Sequence, residues 1–255
     1  ESNVTCRNVL PAALGFRVKV NKVRYLICDI YKYLRQVVTI IPTHRKTPSF
    51  SIVSHHILKM PVYKVTYFDV RARGEPIRWL LSYLGEEFID NRIKHSDWAT
   101  LKKDVLFGKL PVLDVDGDRI YQTGAICRFL GKKAKLAGDN DWESIQIDSI
   151  QGTIDDLMAA MGPIRRAEGE EKEKLMNQLK TETVPYYFGI YNDNAKSGYL
   201  ANGKLSWVDI FFICIVDSME GVLGEGCLDN FPNLKALKAK VVSLPGIKEW
   251  IAKRP

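Results

Sequence analysis

What this chain lacks narrows it first. No Cys-x-x-Cys pair occurs among its five cysteines, Cys6, Cys28, Cys127, Cys214 and Cys227, which stand far apart. That spacing argues against a disulfide scaffold and against a thiolate metal site, and fits a reducing compartment. No apolar run reaches the roughly 18–20 uncharged residues that a membrane span needs. Even the greasy stretch from Val23 to Ile41 is cut by Arg24, Asp29, Lys32 and Arg35. The chain has no glycine-rich phosphate loop and no internal repeat. Of its four histidines, His44, His55 and His56 lie near the start and His95 has no ligand-spaced partner. No metal is therefore expected.

Acidic residues are scarce in one segment only. The chain holds 37 Lys and Arg against 30 Asp and Glu, a net charge of +7. Residues 1–59 carry ten basic side chains and two acidic ones, leaving 27 against 28 over the remaining 196 residues. Attraction to a phosphate backbone thus has no basis in the main body, and nucleic acid is not an expected partner. Within the first segment Val23, Ile27, Ile30, Leu34, Val37 and Ile41 recur at helical spacing among basic residues, a pattern shared by transit peptides and membrane-surface helices. No compact apolar region with a small-residue cleavage site marks a secretory signal. Residues 1–59 are read as an extension, disordered or outside the mature protein, with Met60 as the start of the main body.

Beyond Met60 the local signals alternate. Residues 62–68 alternate as a strand, and 75–84 read as a helix with Pro76 in its first turn and Gly85 closing it. Residues 88–93 form a second strand and 97–104 a short helical turn. Two further strands, 111–115 and 119–121, flank Asp116-Gly117, a strong hairpin signal. Residues 123–133 read as a helix. A tight hairpin forces antiparallel pairing while the first crossover favours parallel, so the expectation is an α/β domain over 60–138 with a mixed sheet.

After the polar break at 138–141 the strand pattern stops. Residues 142–255 read as an all-helical domain. Ile145, Ile150, Ile154, Leu157, Met158 and Met161 make one apolar stripe, and Leu175, Leu179, Val184 and Tyr187 another. The charged run 168–174 reads as a solvated helix start. Ser206-Trp207-Val208-Asp209 has the spacing of a capping box, with Leu205 and Ile210 placed for a hydrophobic staple.

Three ordered segments carry a resemblance: residues 63–75 (YKVTYFDVRARGE), 108–113 (GKLPVL) and 122–126 (QTGAI). With 203–209 and the terminal Ile251-Ala252-Lys253-Arg254-Pro255, they resemble the cytosolic glutathione transferases over 60–255. The match is best to the sigma class, which includes invertebrate enzymes, haematopoietic-type prostaglandin D synthases and S-crystallins. The resemblance implies a thioredoxin-like N-terminal domain, an all-α C-terminal domain, glutathione as co-substrate, a cytoplasmic homodimer and small hydrophobic electrophiles as partners. The implied reaction is attack of the glutathione thiolate on soft electrophiles such as lipid-peroxidation aldehydes. Prostaglandin H to D isomerisation and a non-catalytic, crystallin-like or ligand-binding role are the alternatives.

Residue by residue, the resemblance implies that the Tyr67 hydroxyl donates to the glutathione sulfur and that Arg73 adds positive potential. Trp98, Lys102 and Lys109 hold the glycyl end. Gly108, Leu110 and a cis Pro111 present backbone to the cysteinyl part. Gln122 and Thr123 hold the γ-glutamyl carboxylate at a helix start, and Asp156 reaches the γ-glutamyl amine in the neighbouring subunit. Gly152 stands where vertebrate members have one acid of a cation-binding cluster, so a metal is not expected there. The electrophile pocket is assigned to Phe68, Arg73, Met158, Gly162 and Tyr199 or Leu200. Cys127, following Ile126 inside a helix, is not expected to act in catalysis.

Overall fold

The computed structural model describes residues 61–255, so the readings made for residues 1–59 lie outside the described residues. Strand β1 (Tyr63–Phe68) buries Tyr63, Val65 and Tyr67 on one face. It pairs in parallel with β2 (Phe88–Ile93) and antiparallel with β3 (Val112–Val115), which closes a hairpin with β4 (Asp118–Tyr121). The sheet order is β2-β1-β3-β4. Asp116 and Gly117 both take positive φ, 53° and 102°, the geometry that matches the twist of paired strands.

Helix α1 (Glu75–Leu84) starts with Pro76 in its first turn and stops at Gly85, left-handed at φ 71°. Helix α2 spans His95–Leu101, two residues earlier than the sequence suggests, and Lys102–Asp104 continues as a tighter turn. Helix α3 (Thr123–Lys133) completes the first domain. The remaining helices are α4 (Asp141–Ala160), α5 (Gly169–Gln178), α6 (Val184–Asn194), α7 (Trp207–Leu223), α8 (Pro232–Val242) and α9 (Ile247–Lys253). A wide turn at Leu179–Thr183 joins α5 to α6 just before Pro185, which has no N–H to bond back into the preceding turn. Among the described residues no helix is long and apolar enough to cross a membrane.

The apolar stripe of α4 needs one correction. Ile145 is 55% exposed beside an exposed Trp142, and Ile147 takes the buried place. A helix cannot bury 145 and 150 on the same line as 154, 157 and 158, because a step of five turns away from that face.

Helix α7 is buried along most of its length and packs directly against α3. A Cβ on Gly131 would lie 2.6 Å from the Trp207 ring, so only glycine lets the two helices approach this closely. The capping box at Ser206 and Asp209 is formed. The fully buried Asp209 carboxylate accepts the Ser206 backbone N–H at 2.8 Å, the Ser206 hydroxyl at 2.7 Å and the Leu200 N–H at 2.7 Å. Burial nevertheless pushes its carboxyl up from 3.8 to about 6. A carboxyl raised by folding stabilises the fold most when protonated, and that contribution is lost as pH rises through about 6. Two buried N–H groups lose their acceptor in Asp209→Ala, so the variant is expected to be less stable by about 2 kcal/mol near neutrality. The gap should be wider by up to about 3 kcal/mol at pH 4. Denaturant melts of both proteins from pH 4 to 7 check the sign: a gap that widens as pH rises contradicts it.

The largest feature without a sequence signal is a buried ionic network. Glu75 and Arg78 are fully buried and paired at 2.9 Å. The other Glu75 oxygen accepts from the indoles of Trp79 at 3.1 Å and Trp250 at 2.9 Å, and from Arg254 at 3.3 Å. Arg78 reaches Asp90 at 2.8 Å and the Val70 carbonyl at 3.2 Å. Arg254 also makes a two-pronged contact with Asp217, at 2.9 and 3.0 Å, and Asp217 lies 3.4 Å from Arg71. The C-terminal residues are thereby tied to α1 and to the segment after β1.

Candidate active site

The segment 69–74, between β1 and α1, borders two cavities. On one side Arg73 joins Leu106, Phe107, Lys109, Leu110, Pro111, Tyr121, Gln122, Thr123 and Asp155 around about 300 Å³ of polar space. On the other, Val70, Arg71 and Ala72 face about 570 Å³ enclosed mainly by apolar side chains of the helical domain. Ala72 takes a left-handed φ of 33°, so the backbone turns sharply between the two.

Tyr67 is the penultimate residue of β1 and 6% exposed. Burial raises its phenol above the ordinary value, opposed by the Arg73 backbone N–H and by the charges of Arg165, Arg73 and Arg78. The hydroxyl therefore keeps its proton at neutral pH and is equipped to donate. Gly74 packs on the ring, where any Cβ would come within 2.5 Å. The Arg73 guanidinium donates to Asp155, which also accepts from Gln151.

The Leu110–Pro111 bond is cis, and both residues line the polar cavity. The helix starts where the sequence reading puts it. Gln122, with φ 68° and ψ 119°, is the residue flanking α3, while Thr123 is its first helical residue and is buried. No side chain caps this end and its first turn carries no acid, so its backbone N–H groups and the helix dipole suit a carboxylate.

Arg73, Lys109, Leu110, Pro111, Gln122 and Thr123 are thus brought to one cavity. Trp98 and Lys102 are not. Trp98 is half-buried against the edge of the Phe68 ring and lines a separate cleft with Lys64, Thr66 and Asn91. The Lys102 N–H bonds the Trp98 carbonyl, and its side chain runs past Gly108, whose Cβ would sit 3.2 Å from Lys102 Cε. Asp156 is exposed and outside the cavity; its neighbour Asp155 lines it instead.

Of the residues assigned to the electrophile pocket, only Met158 lines the apolar cavity; Arg73 lines the polar one, and Leu200 lies on neither wall. Phe68 is taken by an aromatic cluster, stacked on His95 at 4.2 Å. Gly162 lies in the turn after α4 and is not on the wall, although Met161 and Ile164 are. Tyr199 faces Lys240, whose ammonium lies 4.8 Å over its ring. Sequence reading missed Arg71, Arg165 and Lys172 on this wall, together with Met161, Met176 and Met219. The usable signals were Met158 and Met161 one helical turn apart and the pair Arg165-Arg166 after Pro163.

Cys127 and Cys214 are completely buried and burial holds both thiols well above their ordinary value, so neither is a ready nucleophile. Among the described residues no group of three or more His, Cys, Asp or Glu side chains is placed to hold a metal ion.

A thioredoxin-like domain that lays a cis-proline loop and a helix start around a polar cavity, with a buried tyrosine near the end of its first strand and an apolar cavity walled mainly by a helical domain, has the build of two-domain enzymes that activate a thiol peptide. Comparison with known proteins places the chain within that class. Two family models match, the N-terminal domain of glutathione S-transferase over residues 63–132 and the C-terminal domain over 155–254. A glutathione S-transferase of Anopheles gambiae is 40% identical over 77% of this chain and 98% of its own length. The hematopoietic prostaglandin D synthase of Homo sapiens is 36% identical with the same coverage. Among solved structures, prostaglandin synthase D of Nilaparvata lugens is 49% identical with a TM-score of 0.73, covering 76% of this chain and 98% of that one. The chain belongs to the glutathione S-transferase family and is an enzyme of that family, with glutathione as co-substrate.

Proposed function

We propose that the enzyme conjugates glutathione to soft electrophiles such as lipid-peroxidation aldehydes, acting as a cytosolic homodimer of sigma-class type. The observation that carries this reading is the position of segment 69–74, with Arg73 on the polar cavity and residues 70–72 on the apolar one. Glutathione occupies the polar side. Its γ-glutamyl carboxylate lies at Gln122 and Thr123, its cysteinyl backbone along Gly108, Leu110 and Pro111, and its glycyl end toward Lys109, Lys102 and Trp98. The sulfur then lies at the Tyr67 hydroxyl, facing the apolar cavity. The γ-glutamyl amine meets Asp156 of the second subunit, in keeping with the exposure of that carboxylate. Phe107, 65% exposed at a left-handed φ of 66° on the rim of the glutathione cavity, supports a subunit contact there.

A second reading, isomerisation of prostaglandin H to D, is favoured by one observation. Arg71, Arg165 and Lys172 stand on the wall of a mainly apolar cavity, an arrangement suited to a lipid with a carboxylate. Turnover of an aryl halide, a hydroxyalkenal and prostaglandin H by purified protein separates the readings. Conjugation of the first two supports the transferase, rapid isomerisation of the third supports the synthase, and no glutathione binding at all supports a crystallin-like or carrier role.

A further inference from the structure

The arginines in and around segment 69–74 are committed with one exception, and Arg92 is among the committed, paired with Asp69 and Asp90. Arg71 is paired with Asp217, Arg73 with Asp155, and Arg78 with Glu75 and Asp90. The exception, Arg165, has no ion-pair partner among the described residues. It is exposed on the wall of the 570 Å³ cavity. Its backbone is fixed there, because Ile164 beside it is buried and the Arg166 and Ala167 N–H groups both bond the Pro163 carbonyl at 3.0 Å. Its charge is among those that oppose the burial-driven rise of the Tyr67 phenol. Arg165 therefore faces the space for the electrophile, and its donors are uncommitted among the described residues.

We propose that Arg165 is a catalytic residue of conjugate addition, donating hydrogen bonds to the carbonyl oxygen of an α,β-unsaturated aldehyde or ketone. The proposal rests on the transferase reading above. In the step it serves, a lone pair of the thiolate forms the S–C bond at the β-carbon. The C=C π pair moves to form a new double bond between the α-carbon and the carbonyl carbon, and the C=O π pair moves onto oxygen. The resulting enolate is held by the guanidinium, then takes a proton from water at the α-carbon, giving the saturated conjugate. Charge that appears on the oxygen only during reaction is met by a group already oriented, so the contact lowers the barrier more than it tightens binding.

The test compares a hydroxyalkenal, which places charge on a carbonyl oxygen, with an alkyl halide, which places it on the departing halide. At saturating glutathione, Arg165→Gln is expected to lower kcat for the enal by about 10- to 100-fold, at least tenfold more than for the halide, with a smaller change in KM. Arg165→Lys, which restores a donor and a charge, should recover most of the loss, and thermal midpoints of both variants should match the parent. Equal losses on both substrates, accompanied by a raised sulfur pKa, would place Arg165 on the thiolate side and overturn the proposal. A change confined to KM, or none, overturns it as well. If the unsubstituted protein conjugates neither substrate, the transferase reading itself fails, and the proposal with it.

Discussion

Tyr67→Phe is expected to raise the pKa of the bound glutathione sulfur by about one to two units, the worth of one charge-assisted hydrogen bond in a shielded site. The rate at neutral pH should fall about 10- to 100-fold, while glutathione affinity changes little. The argument is differential. The phenol is buried and its own ionisation is pushed up, so at neutral pH it is a neutral donor; it gains more from a thiolate than from a thiol. Removing it penalises the anion and leaves the peptide contacts in the polar cavity intact. The rate–pH profile should shift to higher pH by the same amount as the sulfur pKa. Ultraviolet titration of the thiolate on both proteins decides the matter. An unchanged sulfur pKa with an unchanged rate would remove Tyr67 from the mechanism.

Glu75→Ala is expected to cost about 3–5 kcal/mol of stability, the usual consequence of deleting one member of a buried ion pair. The cost exceeds that of an exposed pair for two reasons. Arg78 is fully buried and would keep only Asp90 to offset its charge. The indole N–H groups of Trp79 and Trp250 would lose their shared acceptor, each a further unsatisfied donor in the interior. For a domain of this size the midpoint should fall by on the order of 10 °C. Glu75→Gln, which keeps an acceptor but lacks the charge, should lie between. A thermal melt showing Glu75→Ala within 1 kcal/mol of the parent would mean that the network is not a unit.

Elements with strong local signals were legible in the sequence. Helix α1 carries its own start at Pro76 and stop at Gly85, and the hairpin is specified by Asp116-Gly117, so their bounds follow from short-range chemistry. The polar cavity was legible for a different reason. Arg73, Lys109, Pro111, Gln122 and Thr123 belong to the three segments that carry the resemblance to the glutathione transferases, and all five line it.

The apolar cavity was not, because its wall depends on how helices far apart in sequence pack. Lys172 lies in a run that reads as solvent-facing, and nothing local to Tyr199 reveals that its ring packs against Lys240. The buried network escaped for the same reason. Glu75 reads as an acid favouring a helix N-terminus, and nothing local reveals that its partner Arg254 lies 179 residues away.

The close approach of Gly131 to Trp207 has a consequence for how the enzyme meets substrates of different shape. A second tight seam lies at Gly246, where a Cβ would fall 2.0 Å from the Ser82 carbonyl oxygen. With backbone packed this closely at both places, the seams between the two domains are expected to resist opening or shutting around a ligand. Accommodation is left to side chains, and every methionine of the described residues, Met158, Met161, Met176 and Met219, lines the apolar cavity. Unbranched thioethers change rotamer at little cost and fill irregular gaps. The enzyme is in this sense a rigid vessel with a yielding lining, so substrates of unequal bulk should leave its domain arrangement unaltered while the methionine methyl groups alone change their environment.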